Sequence, residues 1–404
     1  MTFTGTSSSA RPRFGRPVRL AAAGTALIAV TYGIARFAYG LFVPAFRDEF
    51  GLGASAAGLI ASGGYAAYCA AIAVSMLASG SLPPRRVAVG AGALATAGTA
   101  LVATAPGPAA LATGVLVGGA STGAASPPLA EAIAHRVAPH LRNRMQNIVN
   151  AGTGLGVAVS GPVALAAGAH WRPAWLAFSA LALAVTLWNA RTLPPGRTRD
   201  PAGPETARTP LLPSPLGRPG SARMLTAAAA MGIAGSAVWT FGRELALTHG
   251  GLGPTASVAM WICLGATGVL GAFTGDLTDR LGPAGAWAAA MLAAAAVTAV
   301  PALAPGALPG ALGPAALFTA TALFGAVYTA LTGLLLMWGI RLYPDAPSFG
   351  VGAAFLMIAA GQTAGSPLVG LVADRASLPE AFLLAAAVAA TGAGITPARG
   401  SGRR

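Results

Sequence analysis

The chain has 404 residues, of which 55% are hydrophobic and only 9% are charged, and its formal net charge is +14. A soluble domain carries about 25% charged residues, so this composition excludes a water-facing surface and predicts an integral membrane protein. The positive charge does not indicate a nucleic-acid partner, because all 25 basic residues are arginines scattered through the short gaps between apolar runs.

The chain opens with a basic tail, residues 1–19, whose four arginines precede an apolar run. A basic segment ahead of an apolar stretch is typical of a secretory signal peptide. The run continues to about Phe46, which is too long for the apolar region of such a peptide. We therefore expect an uncleaved first membrane span.

The apolar runs predict an all-α membrane fold. A helix needs about 20 mostly apolar residues to cross the hydrocarbon core. In chain order this length predicts twelve spans, at residues 20–46, 55–79, 86–105, 108–135, 145–168, 172–190, 224–248, 255–275, 283–304, 311–339, 347–373 and 378–396. Ala, Gly, Leu and Val dominate them, which favours closely packed helices over the alternating pattern of barrel strands.

A stretch rich in Pro, Gly and Arg at residues 192–223 predicts a cytoplasmic linker between the sixth and seventh spans. It divides the chain into an N-terminal six-helix bundle at 20–191 and a C-terminal six-helix bundle at 224–396, which is followed by a tail at 397–404. Two repeated halves of this kind are a common plan of transporters.

The arginines also predict the orientation. The gaps on the side of both termini hold 20 arginines, whereas the opposite gaps hold three, Arg47, Arg172 and Arg375. Because positively charged loops stay in the cytoplasm, we expect a multi-pass protein of the cytoplasmic (inner) membrane with both termini inside.

The gap between the eighth and ninth spans carries a recognisable motif, GDLTDRLG. With the six-plus-six organisation, it resembles the loop signature of the major facilitator superfamily, whose positions Gly275, Asp279, Arg280 and Gly282 fill. The resemblance implies twelve transmembrane helices in two pseudo-symmetric six-helix bundles. It also implies that Asp279 caps a helix end and releases it during switching. An ordinary solvated loop is the alternative interpretation.

The matching gap in the first half reads GSLPPRR, with Pro84 at the aspartate position. This copy of the motif is therefore degenerate. The superfamily pattern pairs an acid at the inner end of the fourth span, here Glu131, with the arginines of the preceding inner loop, Arg85 and Arg86. We interpret Glu131 as part of a structural or gating ion pair, with proton coupling as the alternative.

The fifth span contains GTGLGVAVSGPVALAAG. Its Gly156, Gly161 and Pro162 resemble the fifth-helix motif of the antiporter branches of the superfamily, although the glycine spacing departs from that motif. A proline kink with glycine packing is the alternative explanation. The opening stretch GIARFAYGLFVPAFRDEFGL resembles the first helix of the YbfB/YjiJ-like branch, a resemblance that fixes no substrate.

Arg36 is the most informative residue of the first span. It lies 17 residues after Arg19, or about 25 Å along a helix, and an arginine at the centre of a membrane helix costs about 2.5–3.5 kcal/mol. Tyr32, Arg36 and Tyr39 have the spacing of one helix face. We therefore predict a cationic site that suits a carboxylate or phosphate, with a structural role in a broken helix as the alternative.

Other candidate cavity residues follow from the superfamily plan, in which spans one, four, seven and ten line the cavity. Polar and aromatic side chains in the seventh and tenth spans, together with two from spans five and eleven, complete the predicted set: Ser236, Trp239, Arg243, Tyr328, Thr332, Asn150 and Gln362.

These features predict a secondary transporter that exports a small organic molecule, with alternating access and proton coupling through Glu131 or Glu244. An importer or facilitator of a small organic anion or metabolite is the alternative, and a non-transporting membrane sensor or a membrane-embedded enzyme is a lesser one. We expect a monomer with protons and lipid as further partners. No cofactor is expected, because the chain has no Walker motif, and Cys69, Cys263 and the four scattered histidines lack metal-site spacing.

Overall fold

The structure, a computed structural model, describes residues 15–78, 82–168, 170–193, 215–270 and 275–397. These residues form helices joined by short turns, and no strand occurs among them. The predicted all-α membrane fold is therefore confirmed.

The first half has a long first span built from three consecutive helical segments. They are α1 (Gly15–Ile28), a π-helical segment (Ala29–Phe37) and α2 (Ala38–Phe50). The remaining helices of this half are α3 (Ala54–Ala78), α4 (Pro84–Ala103), α5 (Pro108–Arg136), α6 (Pro139–Asn150), α7 (Gly152–Ala167) and α8 (Trp171–Thr192).

The described part of the second half contains six helices. They are α9 (Ser221–Thr248), α10 (Pro254–Leu270), α11 (Gly275–Ala307), α12 (Leu312–Leu342), α13 (Pro347–Arg375) and α14 (Leu378–Gly392).

Ten helices within the described part of the chain are long and apolar enough to cross a membrane. The predicted spans at 255–275 and 378–396 contain the shorter apolar helices α10 and α14. The predicted fifth span is divided between α6 and α7, which meet at Ala151.

Prolines and glycines set several helix boundaries. Pro84, Pro108 and Pro139 stand at the first turns of α4, α5 and α6, where an N–H group has no partner inside the helix. Gly51 ends α2 with a φ of 62°, a left-handed conformation that L side chains rarely adopt. These positions explain why the apolar runs could be divided into helices from the sequence.

The predicted linker and the two predicted tails lie mostly outside the described residues. The linker predicted at 192–223 begins where α8 ends, and its residues 194–214 are not described by the structure. The same holds for residues 1–14 and 398–404 of the predicted tails. Those boundaries stay predictions.

We name the two ends of the bundle by the chain. The terminal end holds the start of α1, the end of α8 and the start of α9, and the distal end is the opposite one. At the distal end α2 packs on α9 and the start of α3 packs on the end of α13, so the two halves are in contact there. At the terminal end α1 packs on α5, α6, α7 and α8 of its own half.

Candidate functional site

Arg36 lies near the middle of the 33-residue helix Val18–Phe50 and is only 9% exposed. It belongs to the π-helical segment, in which every residue is buried. The wider i→i+5 hydrogen-bonding of a π-helix is rare and frequently occurs at functional sites. The sequence correctly placed an arginine deep in the span, but it did not predict the π-helical backbone.

A chain of polar side chains runs from Arg36 into the second half. Its Nη2 donates a hydrogen bond to Oε1 of Gln362 on α13. Nε2 of Gln362 in turn donates to the hydroxyl of Tyr328 on α12, at 3.2 Å. Gln362 is fully buried, and Nε of Arg36 has no hydrogen-bond partner in the part of the chain that the structure describes. Three of the predicted cavity residues therefore meet between the two halves.

Four aromatic rings surround the guanidinium of Arg36. Its central carbon lies 4.5 Å from the ring centroid of Tyr68, 4.6 Å from Phe37, 5.0 Å from Tyr65 and 5.8 Å from Tyr32. Each ring face attracts a cation, by about 0.5–2 kcal/mol depending on how far the pair is removed from water. We call Arg36, Gln362 and these rings, together with Tyr328, the arginine cluster.

Tyr65 and Tyr68 were not among the predicted site residues. Both lie on α3, which the superfamily plan does not count among the cavity helices, and both are at most 5% exposed. The signal was available in the sequence, because two phenols three residues apart in an apolar span share one helix face.

The arginine cluster carries an uncompensated positive charge. The ion pairs among the described residues join Arg47 to Glu244, Arg172 to Glu49 and Arg218 to Asp345, and none of them includes Arg36. Gln362 offers Arg36 only the partial charge of an amide oxygen. A bound anion would therefore neutralise a charge that the described residues leave unpaired.

Trp239 on α9 borders the cluster. Its ring stacks on Phe37 with centroids 3.8 Å apart and meets Tyr328 edge to face at 5.4 Å. Ser236, on the same helix, instead donates to the carbonyl of Ile233 at 2.7 Å and does not contact the guanidinium. The seventh span thus contributes an aromatic wall.

The predicted face of Tyr32, Arg36 and Tyr39 is kept in part, because Tyr32 lies beside Arg36 whereas Tyr39 is bonded elsewhere. The hydroxyl of Tyr32 bonds Ser126 on α5 at 2.7 Å, and its ring faces Arg36. Tyr39 donates to the carbonyl of Ala57 on α3 at 2.9 Å, and its ring stacks on that of Phe46 with centroids 5.7 Å apart. The π-helical segment changes the number of residues per turn, so the 3.6-residue spacing no longer returns to one face.

Two further predicted cavity residues do not join the arginine cluster. Asn150 accepts a hydrogen bond from Gln146 on its own helix at 3.2 Å, and Thr332 donates to the carbonyl of Tyr328 one turn earlier at 2.9 Å. Their side chains are occupied by local bonds that the spacing did not reveal.

Arg243 and Glu244 join the halves at the distal end. Nη1 of Arg243 donates to the carbonyl of Leu41 on α2 at 2.6 Å, and its Nε donates to Ser257 at 3.1 Å. Glu244 forms an ion pair with Arg47 of the first half. These contacts form a layer that closes the distal side of the arginine cluster.

The loop motif lies at the start of α11. Gly275 begins α11, and Gly282 interrupts the helix with a φ of 68°. Asp279 and Arg280 are exposed, and neither forms an ion pair or side-chain hydrogen bond with the described residues. The capping role that the resemblance implies for Asp279 therefore has no partner among the described residues and stays a prediction.

Among the described residues, Arg85 and Arg86 of the first half form no ion pair either. Arg85 and Arg86 lie in the first turn of α4, where Pro84 is the first helical residue. The side chain of Glu131 lies outside the described residues, so its predicted pairing with these arginines stays a prediction.

The glycines of α7 serve close helix packing. A Cβ atom on Gly156 would lie 2.1 Å from the carbonyl oxygen of Ala29, and one on Gly161 would lie 2.2 Å from Ile262 of α10 in the second half. Pro162 follows inside the helix. This packing accounts for the motif without reference to a direction of transport.

Comparison with known proteins agrees with this architecture. Residues 25–345 match the family model of the Major Facilitator Superfamily. The fold is similar to that of a bacterial homolog of the human lysosomal transporter Spinster in an inward-facing and unoccupied conformation, with a TM-score of 0.74 and 14% identity over 95% of this chain and 96% of that chain. A search of curated proteins finds no match.

Two other solved transporters share the fold. The nucleoside transporter NupG has a TM-score of 0.72 and 13% identity over 94% of this chain and 98% of that chain. A peptide transporter POT in complex with sulfate has a TM-score of 0.74 and 16% identity over 95% of this chain and 94% of that chain. At these identities the similarity concerns the fold alone.

Proposed function

The chain belongs to the Major Facilitator Superfamily, and on that premise we propose that it is a secondary transporter of a small organic anion. The observation that carries this proposal is the buried guanidinium of Arg36, which has an unpaired Nε and no carboxylate partner among the described residues.

A charge removed from water is costly unless it is paired, and arginine presents donors in a fork that matches a carboxylate or a phosphate. Within the cluster only the side-chain oxygen of Gln362 accepts from Arg36. An anionic substrate supplies the missing counter-charge and the acceptor for Nε. The charge balance therefore favours anions over neutral or cationic molecules.

The surrounding rings define the rest of the substrate class. Tyr65, Tyr68 and Trp239 are almost fully buried, and they present apolar faces next to the charged group. Binding sites of this composition hold the body of an organic molecule by apolar contact and fix its orientation through few polar groups. We propose a carboxylate or phosphate on an apolar or aromatic body.

Alternating access follows from the position of the cluster between the halves. In this conformation Arg47–Glu244 and the bond from Arg243 to Leu41 join the halves on the distal side, and we propose that exchange of substrate takes place toward the terminal end. Opening the distal side requires both contacts to break while the halves rock about the site. Under the predicted topology, this conformation faces the cytoplasm.

Direction and coupling complete the proposal. We propose proton-coupled efflux, with Glu244 as the coupling carboxylate, because protonation removes its attraction to Arg47 and favours distal opening. A proton that enters from the distal side opens that side, where the substrate leaves, and re-formation of the pair with Arg47 as the halves return expels the proton toward the terminal side, so that it crosses the membrane in exchange for the substrate. Import or facilitated diffusion of the same anion is the alternative function, and membership of the YbfB/YjiJ-like branch stays a prediction.

The experiment is flux in proteoliposomes. Liposomes that contain the purified chain are tested with labelled carboxylates, phosphates and neutral analogues, with a pH gradient in either direction or none. We expect flux of an organic anion that is accelerated by the gradient. Loss of charge-assisted bonds lowers binding about 10- to 150-fold, so Arg36→Gln should lose most of the flux.

The matched control is Arg341→Gln, an exposed arginine at the end of α12. It removes the same charge from the chain but not from the cluster, and its flux should equal that of the wild type. Flux of neutral molecules that is equal in wild type and Arg36→Gln contradicts the proposal. Flux that ignores the pH gradient favours the facilitator.

A further inference from the structure

A carboxylate at the distal end of α13 holds the start of α3 in the opposite half. Oδ1 of Asp374 accepts a hydrogen bond from the backbone N–H of Ala54 at 2.8 Å, and Oδ2 accepts one from the N–H of Ser55 at 2.8 Å. The first N–H groups of a helix have no partners inside it and carry the positive end of the helix dipole, so a carboxylate is stabilised there. The two bonds join the two halves.

Glycine makes this approach possible. A Cβ atom on Gly370 would lie 2.4 Å from the carbonyl oxygen of Ala54, a distance that real Cβ atoms do not show. Asp374 follows four residues later, about one helical turn along the same face. The glycine lets α13 touch the start of α3, and the aspartate then reaches its amides.

The spacing repeats that of the loop motif. GLVADR at the end of α13 has the same glycine-x3-Asp-Arg order as GDLTDR at the start of α11. The first sequence stands at the distal end and the second at the terminal end. In this conformation Asp374 is engaged with the opposite half, whereas Asp279 has no partner among the described residues.

We propose that Gly370 and Asp374 form a distal latch, which holds the distal end closed by capping α3 and releases α3 when that end opens. A capping side chain shifts an equilibrium by about five-fold, so the latch favours the distal-closed conformation by about that factor. This role does not depend on the identity of the substrate.

The latch shares a helix face with the arginine cluster. Gln362, Ser366, Gly370 and Asp374 follow one another at four-residue intervals along α13. The first contacts Arg36, the carbonyl of the second lies against α3, and the last two form the latch. Both groups stand on α13, with Pro367 inside the helix between them, so a displacement of α13 as a whole moves Gln362 away from Arg36 as it releases the latch.

The latch is tested by distance measurements between spin labels on the full chain in lipid nanodiscs. The native Cys69 and Cys263 are replaced by serine, and labels are attached through Ala109→Cys and Leu312→Cys. These exposed positions begin α5 and α12 at the distal end of opposite halves. Double electron–electron resonance then gives the ratio of distal-closed to distal-open molecules.

We expect Asp374→Ala to lower this ratio about five-fold, and Asp374→Asn to lower it less, because the amide keeps one acceptor oxygen. The control is Asp345→Ala, whose carboxylate is 80% exposed and pairs with Arg218 at the terminal end. It should leave the distal ratio unchanged. An Asp374→Ala distribution identical to the wild type overturns the latch.

A second variant, with its own control, tests the latch while leaving the carboxylate of Asp374 in place. Gly370→Ala separates the helices without changing charge and should also lower the ratio, whereas Gly90→Ala, where a Cβ meets nothing within 4 Å, should not. Equal ratios in Gly370→Ala and Gly90→Ala overturn the latch independently of the aspartate variants. No transport is measured, so failure of the latch is distinct from failure of the proposed anion transport.

Discussion

The guanidinium of Arg36 donates a hydrogen bond to the side-chain oxygen of Gln362, which lies 326 residues further along the chain and in the opposite half. Both side chains are buried. An amide oxygen balances a guanidinium only in part, so this bond marks a site that is electrically incomplete. The anion specificity proposed above rests on that imbalance.

Replacing Gln362 by glutamate should fill the anion position from within the protein. The new carboxylate supplies the counter-charge of Arg36, so we expect binding of an organic anion to weaken at least ~10-fold. The thermal midpoint should be no lower than that of the wild type, because a buried cation gains a full partner. Binding is measured by titration calorimetry, and unfolding by a thermal scan in detergent.

The control for this change is Gln146→Glu, which alters the other glutamine of the chain, on α6 outside the cluster. It should leave anion binding unchanged. Undiminished anion affinity in Gln362→Glu would contradict an anion position beside Arg36.

The aromatic ring of Tyr68, rather than its hydroxyl group, should support anion binding, because the ring holds the cation of Arg36. It lies 4.5 Å from the guanidinium carbon. Loss of one cation–π contact corresponds to a roughly 2- to 30-fold change in an equilibrium constant. We therefore expect Tyr68→Leu to weaken anion binding within that range and Tyr68→Phe to stay within about two-fold of the wild type, as measured by the same titration. Equal effects of the two changes would show that the ring does not hold Arg36.

The ion pair of Arg47 with Glu244 should be strongly coupled. The two side chains are 26% and 10% exposed, so the pair is only partly in water. A double-mutant cycle with Arg47→Gln and Glu244→Gln should give a coupling free energy of about 1–3 kcal/mol, measured from unfolding in a fixed detergent. Each single change leaves one charge without its partner, whereas the double change removes both.

The matched reference for that cycle is the pair of Arg172 with Glu49, whose side chains are 41% and 37% exposed. An exposed pair is worth about 0–1 kcal/mol, so its cycle should give a smaller value. Equal coupling in the two cycles would remove the evidence that the distal contact holds the halves together.

Much of the architecture could be predicted from the sequence because it depends on local properties. Apolar runs of membrane length, interrupted by proline and glycine, gave the all-α fold, and the depth of Arg36 followed from counting residues along the first span. These features follow from the chemistry of one segment at a time.

The composition of the site depended on contacts between segments and was predicted less completely. Gln362 and Tyr328 were expected in the cavity, but the bond to Arg36 depends on how the halves meet. Tyr65 and Tyr68 were missed because the superfamily plan does not count their helix among those that line the cavity. Asp374 was not among the predicted site residues, since no local pattern shows that the start of α3 lies within 2.8 Å of it.

The most direct test of the account compares carboxylates with their own primary amides as ligands. Each pair has the same body and differs in charge, and binding is measured by calorimetry on wild type and Arg36→Gln. We predict a pair in which the wild type binds the carboxylate at least ~10-fold more tightly than the amide, and we predict that Arg36→Gln loses this preference. Equal binding of both members by the wild type, or a preference that survives in Arg36→Gln, would contradict the assignment of Arg36 as the anion-binding residue.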